Sequence, residues 1–125
     1  MKINLITQQL FLNILEVNYQ SIKFDLHSDY SLEKIFLKDT KLIIKLVHDK
    51  DNTLLEIVFD GVIIIDLNVS FNLEFSSLHT LQRGKYESPD GHLFETYEGK
   101  KCFYIEFGEE NILSLLCSEA FITNA

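Results

Sequence analysis

Residues 41–69 read KLIIKLVHDKDNTLLEIVFDGVIIIDLNV, and their spacing decides the fold class. Three β-rich runs, residues 41–48, 53–59 and 62–69, are separated by Asp49-Lys50-Asp51-Asn52 and by Asp60-Gly61. A four-residue loop at 49–52 places Lys45 opposite Glu56, an opposite-charge cross-strand pair contributing ~0.2–1 kcal/mol. Asp60-Gly61 is a two-residue hairpin signal, because Gly adopts the positive φ of a type I′ turn freely and Asp tolerates it. It predicts a hairpin in which Phe59 faces Val62, Ile57 faces Ile64 and Glu56 faces Ile65. Alternation then puts Leu42, Ile44, Leu46, Leu55, Ile57, Phe59 and Val62 on one face. Ile43, Val47, Leu54, Val58, Ile63, Ile65 and Leu67 line the other. A sheet apolar on both faces is one that other layers cover.

Outward from this centre the signals differ. Upstream, Ile3, Ile6, Leu10, Ile14 and Val17 fall at helical spacing and Thr7 is a suitable cap, predicting an amphipathic helix over about residues 8–17. Ile22, Phe24 and Leu26 alternate as in a short strand. Residues 32–38 fit a strand or a helical turn, and Phe71, Leu73, Phe75, Leu78 and Leu81 fit either period. Arg83 to Gly91 reads as a loop, with the only proline in Ser88-Pro89-Asp90-Gly91. Downstream, residues 92–98, 101–107 and 112–117 read as a meander around a Gly99-Lys100 turn and a Gly108-Glu109-Glu110-Asn111 turn. That register sets Glu95 against Tyr104, Tyr97 against Cys102, Phe103 against Leu116, Phe107 against Ile112 and Cys102 against Cys117. It gathers Phe94, Phe103, Ile105, Phe107, Ile112 and Leu116 on a core face. Glu95, Tyr97, Tyr104 and Glu106 fall on the opposite face, with Leu113 and Leu115 at its far side. The expectation is one α+β domain spanning residues 1–125. It has an N-terminal helix and a mostly antiparallel, twisted sheet, folded as a half-barrel or two-layer sandwich.

Composition narrows the function. At 46% hydrophobic and 24% charged residues the chain is ordinary for a globular protein, so disorder is not expected. No run approaches the ~20 apolar residues of a membrane-spanning helix, and the first residues are broken by polar ones, so a cytoplasmic protein without membrane contact is expected. The charge is uneven. Residues 86–125 hold eight acidic side chains against Lys100 and Lys101, which is -6 of the formal -8; residues 1–85 hold eleven acids and nine bases. A concentrated negative face favours a basic partner surface and argues against nucleic acid. Tyrosines beside carboxylates suit a protein-binding face. The candidate partner-binding residues are therefore Glu95, Tyr97, Glu98, Tyr104, Glu106, Glu109 and Glu110.

Catalytic and ligand motifs are weak by comparison. His27, His48, His79 and His92 are scattered without metal spacing, and Cys102 and Cys117 form no CxxC. Asp49-Lys50-Asp51-Asn52 lacks the glycine and distal glutamate of a calcium loop and reads as a turn. Glu95 with Glu106 as paired catalytic acids, or a Cys102–Cys117 disulfide, each rank below the plain reading of surface carboxylates and reduced thiols. Ser28, Ser31 and Ser114 have no nucleophile context, and the glycines form no phosphate loop. No enzyme activity, metal or cofactor is expected.

The Leu42–Val69 meander and the C-terminal hairpin, Phe103-Tyr104-Ile105-Glu106-Phe107 followed by Leu113–Glu119, resemble the small acidic immunity proteins of bacterial toxin–immunity systems, including contact-dependent inhibition. The resemblance implies a non-catalytic cytosolic inhibitor that plugs the basic cleft of a cognate toxin, typically a nuclease. The other classes the residues fit are a small-ligand-binding β-barrel and a structural subunit of a larger assembly.

Overall fold

In the computed structural model the described residues are 1–69, 76–108 and 111–124. Among them every regular element is a strand: β1 (Lys2–Asn4), β2 (Glu16–Tyr19), β3 (Ile22–Asp25), β4 (Tyr30–Lys38), β5 (Lys41–His48), β6 (Leu54–Asp60), β7 (Ile63–Asn68), β8 (Leu78–Gly84), β9 (Tyr86–Glu87), β10 (Leu93–Phe94), β11 (Thr96–Tyr97), β12 (Lys100–Phe107), β13 (Ile112–Cys117) and β14 (Glu119–Asn124). Sheet I has the order β1-β14-β6-β5-β4. Sheet II runs β11-β12-β13-β7, with β8 sharing the β11 edge of β12. All strand pairs are antiparallel. The α+β expectation is thus corrected to all-β.

The helix over 8–17 does not form, and the hydrogen bonds show why. After β1 the chain runs along the free edge of β8. Phe11 N–H donates to the Arg83 carbonyl (2.9 Å) and Ile14 N–H to the Leu81 carbonyl (2.7 Å). The Asn13 amide donates to the His79 carbonyl (3.1 Å) and accepts from Leu81 N–H (3.0 Å). One side-chain amide thereby substitutes for a strand residue. A helix would use these backbone groups internally and leave the β8 edge bare, and a helix of ten residues is marginal by itself. Glu16 and Val17 are drawn instead into the β2–β3 hairpin, whose Gln20-Ser21 turn has φ of 49° and 66°.

The central meander holds for its first two strands. β5 and β6 pair through the 49–52 turn, and Lys45 does face Glu56, with an Nζ–Oε2 distance of 3.7 Å. Leu42, Ile44, Leu46, Leu55, Ile57 and Phe59 are all buried in the core. The Asp60-Gly61 hairpin is corrected. β6 pairs with β14 and β7 with β13, so the chain passes from one sheet to the other at Gly61. The returning chain makes the reverse passage at Ser118, whose N–H donates to the Asp60 carbonyl (2.8 Å). Gly61 has φ +65°, yet Asp60 stays out of the left-handed region, so no type I′ turn can close. Long-range pairing with the C-terminal strands wins over the local turn. Lys100 secures the corner: its Nζ donates to the Gly61 carbonyl (2.6 Å) and to Ser118 Oγ (3.1 Å).

Both sheets bury their inner faces in one cluster. Phe59 of sheet I meets Phe103 of sheet II at 5.4 Å between ring centroids. Phe107, Ile105, Leu113, Leu115 and Ile122 fill the space around them, each at most 1% exposed. Away from the corner the layers are joined where Leu32 N–H donates to the Ser76 carbonyl (2.8 Å).

Candidate functional site

The C-terminal meander exists, but its register differs from the expected one, by two residues between β11 and β12 and by one between β12 and β13. Glu98 and Gly99, with φ of 51° and 78°, form the turn, so Tyr97 pairs with Lys100 rather than Cys102. The next pairing shifts by a single residue: Phe103 faces Leu115, Ile105 faces Leu113 and Glu106 faces Ile112. A one-residue slip exchanges the faces of a strand. Leu113 and Leu115 are therefore core residues, and Ile112 and Leu116 share the outer face. Cys102 and Cys117 point to opposite sides and are free thiols. Burial raises the pKa of both, that of Cys117 to about 12.

The outer face of sheet II is then defined by cross-strand rows. One row runs Gln82, Tyr104, Ser114, Asp66, and the next Thr80, Glu106, Ile112, Asn68. Tyr104 and Glu106 are half-buried, and the tyrosine hydroxyl donates to Glu106 Oε2 at 3.4 Å. Burial, and then the Glu106 charge, raise the tyrosine pKa. Tyr97, as the partner of Lys100, falls on this same face two residues beyond Cys102.

At that end stands an aromatic cluster that alternation had assigned partly to the core. Tyr86 and Phe94 are cross-strand partners on β9 and β10. Tyr97 packs on both, with ring centroids at 4.6 Å to Tyr86 and 5.3 Å to Phe94, and His92 lies 6.4 Å from Phe94. Phe94 is 37% exposed and its neighbour Leu93 is 62% exposed. Glu87, Asp90, Glu95 and Glu98 are all exposed on the same hairpin and turn. The Ser88-Pro89-Asp90-Gly91 turn is fixed by the Ser88 hydroxyl on the Asp90 carboxylate, which lowers the Asp90 pKa.

Glu95 differs from the other acids. Its Oε1 accepts from the Arg83 guanidinium at 3.0 Å, and that guanidinium also donates to the Gln8 carbonyl (2.6 Å). Arg83 is 6% exposed, so Glu95 compensates a buried charge. It does not oppose Tyr104, whose partners are Gln82 and Ser114. The seven expected residues thus divide. Tyr97, Glu98 and Glu95 gather at the aromatic end, and Tyr104 and Glu106 lie further along the face. Glu109 and Glu110 are outside the described residues. Tyr86, Leu93 and Phe94 went unrecognised; moving the turn to Glu98-Gly99 leaves the faces unchanged, and Phe94 leaves the expected core face because the strand is interrupted at Glu95, with β10 pairing β9 and only β11 pairing β12.

Elsewhere the polar groups serve local structure. His27 Nδ1 bonds the Leu78 carbonyl (2.7 Å) and packs edge-on to His79. Asp51 caps its own turn through Thr53. Among the described residues no group of three metal-ligating side chains occurs, and no helix is long and apolar enough to cross a membrane. An open groove of about 600 Å³ is lined by residues such as Gln8, Leu12, Ile14 and Asn18, outside the space between the sheets. No protein-family model, curated protein or solved structure matches this chain.

Proposed function

We propose that this chain is a non-catalytic inhibitor of the immunity type, acting in the cytoplasm, which binds a basic protein toxin, a nuclease, through the outer face of sheet II. The observation that supports this reading is the Tyr86–Phe94–Tyr97 cluster, its tyrosines half-buried and Phe94 exposed, with exposed Leu93 at its rim and carboxylates around it. Clustered aromatics surrounded by charge are the composition of an interface anchor, because rings give contact area at little entropic cost and the carboxylates steer a basic partner. Ring faces are also favourable seats for arginine and lysine heads. Tyr104 and Glu106 extend the contact along β12, and an acidic surface seated in a nucleic-acid cleft substitutes for the charge of the substrate.

The test is copurification from the native host with this chain as bait, followed by a nuclease assay of the recovered protein. A basic protein whose activity is abolished by an equimolar amount of this chain, and no longer abolished by the Tyr97→Ala form, is the expected result. A recovered protein whose activity is untouched at saturation overturns the reading.

A further inference from the structure

A sheet edge presents unpaired N–H and C=O groups, and proteins blunt such edges with short strands, bulges, lysines or a covering segment. Three edges here are treated in those ways. β1 is three residues long. β4 carries a bulge between Leu32 and Lys34 and the exposed lysines 34 and 38. β8 is covered by residues 11–14 through the bonds described above. β7 is the exception. Among the described residues β13 is its only strand neighbour, and it contains neither lysine nor proline. Its bulge at Ile65 does not hide it, since Ile63, Ile65 and Leu67 are 50%, 39% and 60% exposed.

The side chains of β7 specify what fits beside it. On the outer face stand Ile63, Asp66 and Asn68, with Asp66 in the row that holds Tyr104 and one row from Glu106. On the inner side Ile64 and Leu67 face Leu115 and Leu113, which belong to the core. A strand added here meets a carboxylate on one face and an unfinished apolar line on the other. A basic residue set against Asp66, with apolar residues set against Ile64 and Leu67 on the other face, is the alternation that fits this edge. A second copy of this chain is disfavoured, because it would set Asp66 and the acidic outer face beside their own images in molecules of formal charge -8.

We infer that β7 is the docking edge for an extended segment of alternating apolar and basic residues, belonging to the basic partner, which joins sheet II as a further strand. This rests on the proposed function and adds the mode of docking. Tyr97 of the aromatic cluster is on β11 and β7 is at the opposite edge of sheet II, with Tyr86 and Phe94 on the separate β9–β10 pair, so a partner lying across the outer face of sheet II can reach both contacts.

The probe is the peptide Lys-Val-Arg-Val-Lys-Val, titrated into the whole isotope-labelled chain and followed by amide NMR and hydrogen exchange. Shifts and slowed exchange centred on residues 63–68 are expected. A same-charge peptide with proline at the fourth position should bind about tenfold more weakly, because it cannot complete the ladder. Asp66→Lys and Ile65→Lys should each weaken the first peptide several-fold, with Asp66→Asn as the milder variant if either fails to fold, while Tyr97→Ala leaves it unchanged. Equal binding of the proline peptide, or shifts confined to other elements, overturns the inference. So does a dimer in sedimentation that Ile65→Lys abolishes, which would put a second copy on the edge. The two readings fail separately. A toxin neutralised at full affinity by the Asp66→Lys form removes the edge alone. A peptide that docks on β7 with no toxin neutralised removes the proposed function alone.

Discussion

On the outer face of sheet I, Phe36, Ile43, Val58 and Phe121 lie side by side across four strands, and lysines seal them. Lys2 sits over the Phe121 ring at 4.4 Å, and Lys34 and Lys45 reach over Phe36 at 4.9 and 6.0 Å. Ile43 and Val58, between the two rings in that row, are buried although they point away from the core. On the outer face of sheet II Lys100, opposite Tyr97, turns its Nζ to Gly61 and Ser118, and the carboxylates around the rings are short and are not drawn to the negative face of an aromatic ring. Phe94 and Leu93 stay exposed. The same ingredients satisfy themselves on one sheet and are left to be satisfied by a partner on the other. The difference lies in the sign of the charge and the length of the side chain that carries it.

The sharpest break of this comparison is in binding. Tyr97→Ala should cost about 2 kcal/mol or more of affinity for the basic partner, since it removes the ring that contacts both Tyr86 and Phe94. Phe36→Ala should leave affinity unchanged and act on stability alone. Calorimetry with the copurified partner measures both, and equal losses would end the distinction between the faces.

The corner that holds the two faces in their relation comes next. A Cβ at Gly61 would lie 2.7 Å from Ser118 Oγ, and φ is +65°. Gly61→Ala should destabilise by about 1–3 kcal/mol in urea unfolding, from steric overlap and backbone strain together. Adding Ser118→Gly should recover the steric part only. Full recovery would show that the positive φ is without cost.

Glu95 and Glu98 then test which carboxylates are free. Glu95→Gln leaves the Arg83 guanidinium buried without its counter-charge, and with Glu95 53% exposed the loss should be about 1 kcal/mol. Glu98→Gln should cost no stability and instead slow association with the partner at low salt. Stopped-flow and denaturation measured side by side separate the two. The assignment fails if Glu95→Gln slows association and leaves stability intact.

How much of this was legible depended on where the decisive contact lay in the sequence. The β5–β6 hairpin was readable, because both strands alternate cleanly and the Lys45–Glu56 pair confirms the register locally. The C-terminal strands were readable as strands, but the pairing of β11 with β12 hung on whether Glu98-Gly99 or Gly99-Lys100 makes the turn, and the faces of β13 on a one-residue shift against β12. A non-glycine residue at φ 51° is not announced by its type. The N-terminal segment was misread because its helical spacing is real and its use is tertiary: Asn13 and the backbone near it complete β8, some seventy residues away. Asp60-Gly61 failed for a related reason, as the partners of β6 and β7 come from residues 112–124. Of the site, the acidic character and Tyr97 were visible, whereas Phe94 was hidden by the interruption at Glu95, and the edge position of β7 among the described residues by the topology.

A smaller effect tests the corner by pH. The Asp60 carboxylate accepts from Thr40 Oγ1 (2.7 Å), the larger influence, and from Gly61 N–H (2.7 Å), and its pKa is lowered. A depressed folded-state pKa gives a contribution present above the ordinary carboxylate value and lost as pH falls through the lowered one. Asp60→Asn should therefore lower Tm at pH 7, with the difference beginning to shrink below about pH 4 and vanishing once pH has fallen through the lowered pKa. A Tm difference that persists unchanged at pH 2 would assign the effect to shape alone.

The smallest effect concerns the sealed face. Lys45 lies between Glu56 on β6 and Lys34 on β4, so attraction on one side meets like-charge repulsion on the other. Both members of the Lys45–Glu56 pair are 20% exposed, and their separation is 3.7 Å. A double-mutant cycle with Lys45→Met and Glu56→Gln should give a coupling of about 0.5 kcal/mol, weakened by added salt. Repeating it with Lys34→Met should raise the coupling, because Glu56 then answers one lysine instead of two. That increase is what separates a face balanced within itself from one awaiting a partner. A coupling indifferent to Lys34 would mean the stripe of Phe36, Ile43, Val58 and Phe121 is held by its own packing, with the lysines above it incidental.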